Sequence, residues 1–157
     1  MDKEKALNRI AGMCSRKEYC TEEVRGKLLR WELPEEEVRE VLAFLQRHQF
    51  IDDRRFAFAY AEDKFRFNHW GKQKIALMLR RKGIASATVE AALSAIAGSS
   101  YADGCLDALR QKLRTLSEPD PYKLRAKLTR FALSRGFDYD TVNQCLAKLS
   151  KDTDGRL

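Results

Sequence analysis

The chain has 157 residues, 44% of them hydrophobic and 34% charged, with a formal net charge of +7 and a pI near 9.3. That apolar share excludes a disordered tail, and no apolar run approaches the length a membrane-spanning helix needs. The basic excess implies an anionic partner, either nucleic acid or an acidic protein surface.

Taken in order, the segments have helical periodicity. Leu7, Ile10, Ala11 and Cys14 mark one face of a first helix. Thr21 is placed to cap a second, with Glu22 and Glu23 in its first turn, and Leu33-Pro34 ends it. Pro34 opens a third, with Glu35, Glu36 and Glu37 at its positive end and Val38, Val41, Leu42 and Leu45 on its apolar face. Asp52 caps a fourth helix through Phe56, Ala59, Tyr60 and Ala61, and Asn68 to Gly71 breaks it. A fifth carries Ile75, Met78 and Leu79 and stops at Gly83, a left-handed position. Ser86 or its neighbour starts a sixth, through Val89, Leu93 and Ile96.

Gly98-Ser99-Ser100 reads as the clearest linker. A seventh helix carries Leu106, Leu109, Leu113 and Leu116. Glu118-Pro119-Asp120-Pro121 then turns the chain, with Asp120 as cap and Pro121 at the first helical position. The eighth helix ends at Gly136-Phe137, and the ninth carries Val142, Cys145, Leu146 and Leu149. Residues 151–157 are polar and expected to fray. No segment alternates with period two.

One apolar spacing recurs three times. Leu28, Leu33, Val38, Leu42 and Leu45 are separated by 5, 5, 4 and 3 residues; Leu79, Ile84, Val89, Leu93 and Ile96 repeat those steps, as do Ala132, Phe137, Val142, Leu146 and Leu149. A period of 51 to 53 residues predicts an array whose units bury apolar faces partly against their neighbours. The expected fold is therefore all-α, with three tandem three-helix repeats at 1–50, 51–98 and 99–150 and a frayed tail at 151–157. Each repeat alone is near the lower size limit for an independent core, so contact between repeats is expected to matter.

Few residues suggest catalysis. His48 and His69 share no metal-ligand spacing with each other or with a cysteine; His48 reads as a helix-end residue and His69 as a loop histidine. Asp52-Asp53 reads as a cap and a first-turn carboxylate. Gly71-Lys72 lacks the glycine-rich segment of a phosphate loop. Cys14, Cys20, Cys105 and Cys145 sit among apolar helical positions and match no zinc spacing, so buried free thiols are expected, with a disulfide or metal role as the alternative. The opening Met1-Asp2-Lys3-Glu4-Lys5 carries no apolar leader and reads as cytoplasmic. No enzyme activity, cofactor or metal is expected.

The charge is uneven. Residues 1–50 balance ten basic against ten acidic side chains, whereas residues 51–100 carry a net +4 and residues 101–157 a net +3. From Lys64 to Lys82 there is no acidic residue, and Lys64, Arg66, Lys72, Lys74, Arg80, Arg81 and Lys82 alternate with Phe65, Phe67, His69 and Trp70. Phe65 and Trp70 read as packing residues, while the cations suit phosphates. A second acid-free stretch from Tyr122 to Phe137 holds Lys123, Arg125, Lys127, Arg130 and Arg135. It occupies the same place in its repeat as the first, so the two basic helices are expected to form one stripe.

The run Ile51-Asp52-Asp53-Arg54-Arg55-Phe56-Ala57, followed by Tyr60, Gly71, Ile75, Leu79, Arg80, Lys82, Gly83 and Ile84, resembles the RecX family of regulatory proteins. The likeness covers nearly the whole chain and is most specific from Ile51 to Ile84. It implies a modulator of RecA, the bacterial recombinase: an elongated, curved monomer that lies in the groove of the RecA–DNA filament and inhibits its ATPase and strand exchange. The expected partners are the RecA filament and single-stranded or duplex DNA. The expected contacts are Lys64, Arg66, Lys72, Lys74, Arg80, Arg81, Lys82, Lys123, Arg125, Lys127 and Arg130. The Asp-Asp-x-x-Phe-Ala motif and Gly83 read as fold residues outside that site. The alternative is a stand-alone basic DNA-binding protein that acts without RecA.

Overall fold

A computed structural model describes all 157 residues. It contains α1 (Lys3–Arg16), α2 (Thr21–Arg30), α3 (Glu35–Arg47), α4 (Asp53–Asn68), α5 (Lys72–Arg81), α6 (Ser86–Ser94), α7 (Gly98–Thr115), α8 (Pro121–Ser134) and α9 (Tyr139–Asp152), and no strand. Consecutive triplets form three repeats, and in each the third helix packs against the other two. Four helices start on an aspartate whose side chain accepts a backbone N–H: Asp2 from Lys5 at 2.9 Å, Asp52 from Arg55 at 3.0 Å, Asp120 from Tyr122 at 2.9 Å and Asp138 from Thr141 at 2.9 Å.

The recurring 5-residue step has a backbone cause. Leu33 N donates to Leu28 O at 3.3 Å, Ile84 N to Leu79 O at 3.1 Å and Phe137 N to Ala132 O at 3.2 Å. Each closes the 6→1 ring of a Schellman stop, in which the apolar residue after a left-handed turn packs back on the helix end. The left-handed residue is Gly83 (φ +78) in repeat 2 and Gly136 (φ +96) in repeat 3, but Glu32 (φ +63) in repeat 1. The stop at Leu33-Pro34 therefore shares the geometry of the glycine stops despite its different sequence.

Fourteen of the fifteen repeat positions are buried; at Leu93 the core position passes to Ala92, 1% exposed, and Leu93 packs at the edge. Three other expectations are corrected. Cys20, not Thr21, caps α2, and its N–H donates to Glu23 Oε1 at 3.0 Å. Thr21 is held from another repeat, donating its N–H at 2.8 Å and its hydroxyl at 3.0 Å to Asp53 Oδ1. Gly98-Ser99-Ser100 is no linker but the first turn of α7, where Tyr101 N reaches Ala97 O at 2.9 Å; the flexible residues sit where an isolated helix end would lack partners anyway. Residues 151–157, expected to fray, begin with the end of α9. Beyond it Arg156 donates to Leu116 O at 2.9 Å and Leu157 packs on the core.

The core has two parts. Eleven buried residues from Ala6 to Ile51 serve repeat 1, while repeats 2 and 3 share a continuous cluster of 26 that also takes in Cys20. All four cysteines are buried free thiols. Both joints between repeats follow one plan: the N-terminus of a second helix rests on the left-handed turn of the next repeat. At the 2–3 joint, Gly71 N donates to Arg135 O at 2.7 Å and Gln73 N to Gly136 O at 3.0 Å. A Cβ on Gly71 would lie 2.3 Å from the Gly136 carbonyl. The same joint holds an aromatic row, Phe65–Tyr101–Phe137, with centroids 5.9 and 5.3 Å apart, and Lys72 N donates to the Tyr101 hydroxyl at 2.9 Å. Gly104 lets Phe65 approach, since a Cβ there would meet its ring at 2.5 Å.

The 1–2 joint is polar instead. Lys82 pairs with Glu23 at 3.0 Å, Arg55 with Glu18 at 3.0 Å, and the Cys20 thiol donates to Lys82 O at 3.6 Å. The accessible surface of 9298 Å² exceeds the roughly 8,100 Å² of a compact monomer of this mass, as expected for an extended array.

Two substitutions test the stops in opposite directions. Glu32→Gly removes a side chain from a left-handed position and should stabilise the protein by up to about 1 kcal/mol. Gly136→Ala should cost more than about 2 kcal/mol, combining an unfavourable φ with a Cβ placed 2.5 Å from Lys74 N. Urea unfolding measures both; equal stabilities for the two variants would contradict the assignment of the turns.

Candidate nucleic-acid interface

The basic residues of repeat 2 arise from the end of α4 and from α5. Ile75, Ala76 and Leu79 turn inward on α5, which leaves Lys74, Arg80 and Arg81 toward other sides of the helix. On α8, Leu124, Leu128 and Ala132 are buried, and Lys123 and Arg130 are exposed. The 2–3 joint sets the start of α5 against the turn that ends α8, with Lys74 packed on Gly136.

The stretches that lack acid in sequence do not all lack it in space. Arg66 pairs with Glu62 at 3.4 Å, Arg80 with Glu90 at 3.7 Å, Lys82 with Glu23 at 3.0 Å and Lys127 with Glu118 at 3.2 Å. Lys72 is tied down differently: its Nζ donates to Ile96 O at 3.3 Å and lies 4.9 Å from the Tyr101 ring centroid. Besides Lys72, six of the expected residues have no carboxylate within ion-pair distance: Lys64, Lys74, Arg81, Lys123, Arg125 and Arg130. Lys64 and Lys74 lie over the Trp70 ring at 5.0 and 4.5 Å, which keeps their charges together on repeat 2. Phe65 is buried and Trp70 half-buried, whereas Phe67 is 72% exposed.

Two grooves flank these residues. One, of about 430 Å³ at the 1–2 joint, mixes Lys17, Lys64 and Lys82 with Glu18, Glu23 and Asp63. The other, of about 330 Å³ between α8 and α9, is lined by Tyr122, Arg125, Ala126, Thr129, Arg130, Tyr139 and Asn143, with no carboxylate. Its tyrosines were not among the sequence-derived candidates. The available signal was position: Tyr122 stands three residues before Arg125 and off the Leu124–Leu128 apolar face.

Lys82 is held by more than one group. Burial disfavours its charge, but Glu23 outweighs this and raises the pKa above the ordinary lysine value. Burial likewise opposes the Glu23 carboxylate, yet the Cys20 N–H and Lys82 prevail and hold it below the usual glutamate range. Lys127 holds the Glu118 carboxyl low by its hydrogen bond.

Three family models match the chain: the first three-helix domain of RecX over residues 6–45, the second over 52–93 and the third over 101–146. The chain belongs to the RecX family. Regulatory protein RecX of Prosthecochloris aestuarii is 32% identical over 148 residues, which are 94% of this chain and 95% of that protein. Regulatory protein RecX of Clostridium perfringens (strain 13 / Type A) is 33% identical over 139 residues, 87% of this chain. The chain spans 65% of that protein's length and 57% of the Clostridium botulinum (strain Eklund 17B / Type B) relative's. The crystal structure of RecX from Lactobacillus salivarius superposes with a TM-score of 0.85 at 21% identity, covering 95% of this chain and 97% of that one, and so shares the fold. No helix of this RecX-family protein is long and apolar enough to cross a membrane.

The Glu23–Lys82 pair predicts a pH dependence. A carboxyl lowered by folding stabilises the fold above its unfolded value, near pH 4.5, and that contribution is lost as pH falls through the folded value. A lysine raised by folding contributes below pH 10.5 and loses its contribution as pH rises further. Glu23→Gln should therefore cost about 1–2 kcal/mol, between exposed and buried pairs, across the neutral range. Its difference from the natural chain should shrink in acid. Denaturation at several pH values reads this out, and a difference that grows in acid would contradict the ion pair's role.

Proposed function

We propose that this RecX-family protein binds the RecA–DNA filament and inhibits RecA's ATPase and strand exchange. It acts as a binding protein, and repeats 2 and 3 supply its contacts with DNA. The observation that carries this reading is that six of the candidate cations in those repeats, Lys72 aside, have no neutralising carboxylate. Keeping such groups unpaired on one part of a protein favours phosphate partners, through counterion release as well as direct attraction. Repeat 1 also holds cations outside any ion pair, among them Lys5, Arg9, Lys27 and Arg30, but its ten acidic side chains offset its ten basic ones. Family membership supports the filament as the target, and an extended array suits a periodic partner because successive units can meet successive subunits.

The test is RecA ATPase on single-stranded DNA with this protein titrated from substoichiometric to equimolar ratios, beside a binding assay on bare DNA. Activity should fall. Reversing Lys74, Arg81, Lys123 and Arg130 to glutamate together should shift the inhibition midpoint at least about tenfold, while reversing Lys27 and Arg30 should shift it less. Raised salt should weaken binding. A folded quadruple variant that retains both activities would refute the basic surface. Full DNA binding with no effect on RecA would favour a DNA-binding protein that acts alone.

A further inference from the structure

The joint surface of the second helix differs in repeat 3. Counting back seven, six and five residues from Leu28, Leu79 and Ala132 gives Thr21-Glu22-Glu23, Lys72-Gln73-Lys74 and Arg125-Ala126-Lys127. The first set rests on the Lys82–Gly83 turn and the second on the Arg135–Gly136 turn. In the third, Lys127 pairs instead with Glu118 of its own repeat at 3.2 Å. Its chemistry has also changed: Arg125, Ala126 and Lys127 stand where repeat 1 has Thr21, Glu22 and Glu23, and α8 runs 14 residues where α2 and α5 run 10.

The added first turn of α8 carries Tyr122, which is 82% exposed, and Tyr139 at the start of α9 is 59% exposed. Both line the groove that holds Arg125 and Arg130 and no carboxylate. A single exposed tyrosine is ordinary. Two of them in one concave site with two unpaired arginines form a combination of flat aromatic faces and fixed positive charge.

We propose that this groove is a single-stranded nucleic-acid site. Unpaired bases stack on Tyr122 and Tyr139, and Arg125 and Arg130 hold the adjoining phosphates. This deepens the DNA contact proposed above and rests on that reading. Charge alone would serve a duplex equally well, but duplex bases keep their faces stacked inside the helix, so exposed rings favour the single strand. An acidic protein segment would satisfy the arginines and leave the rings without flat partners.

The experiment compares fluorescein-labelled dT20 with a blunt duplex of the same length by fluorescence anisotropy. The variants are Tyr122→Ala with Tyr139→Ala, Tyr122→Phe with Tyr139→Phe, and Arg125→Ala with Arg130→Ala. The alanine pair should weaken dT20 binding about tenfold or more and leave duplex binding within about twofold. The phenylalanine pair should keep the natural affinity for dT20, because it retains the rings. The arginine pair should weaken both DNAs and flatten the salt dependence. Circular dichroism confirms folding, which the exposed positions should leave unchanged.

Unchanged dT20 binding by the alanine pair, an equal loss on both DNAs, or a natural chain that fails to bind dT20 overturns the proposal. So does lost RecA inhibition with DNA binding intact, which assigns the groove to a protein partner. If RecA is not inhibited while tyrosine-dependent dT20 binding persists, the filament reading fails and this site stands.

Discussion

The architecture depends on one contact made twice: the start of a second helix seated on the left-handed turn of the next repeat. A helix N-terminus exposes N–H groups that need acceptors, and a Schellman turn leaves carbonyls facing outward. Joining the two satisfies both. Gly71 N on Arg135 O and Gln73 N on Gly136 O do so backbone to backbone, and only residues without a Cβ allow that approach. At the 1–2 joint the same seating uses side chains, with Asp53 taking the Thr21 N–H and the Cys20 thiol reaching Lys82 O.

The two joints differ in what surrounds that contact. At the 2–3 joint, Phe65, Tyr101 and Phe137 carry a continuous core across the boundary. At the 1–2 joint, Lys82, Glu23, Arg55, Glu18, Thr21 and Asp53 replace it with charge and hydrogen bonds. Lys82 thus belongs to the scaffold as much as to any surface, and Lys72, bound to Ile96 O, does too. Of the candidate contacts, the cations that remain unpaired lie on repeats 2 and 3, which share one core.

Much of this was legible from residues alone. The 5-5-4-3 spacing encodes the Schellman stops, because the first position supplies the accepting carbonyl at the helix end and the second is the apolar residue whose N–H closes on it. The caps at Asp52 and Asp120 were likewise local signals. What escaped was non-local. Thr21 looks like a cap until Asp53, 32 residues away, takes its donors. Gly98-Ser99-Ser100 has loop composition, yet Tyr101 and Cys105 need a helix already under way to reach the core. The basic stretches read as acid-free because Glu23 and Glu90 reach them from elsewhere in the fold. Tyr122 and Tyr139 stood outside the charge pattern and became visible only once α8 and α9 were side by side.

The division of the core into two clusters has a mechanical meaning. Repeat 1 has its own eleven-residue core and meets the remainder mainly through polar contacts, with Cys20 its one side chain buried in the shared core. A load across the array would part that seam before it melted any helix, and the seam could close again without refolding. A hinge between repeat 1 and the fused pair of repeats would lie at this seam. Movement there would let the array follow a support of varying pitch and would leave the cations of repeats 2 and 3 in fixed relation, since those repeats share one core.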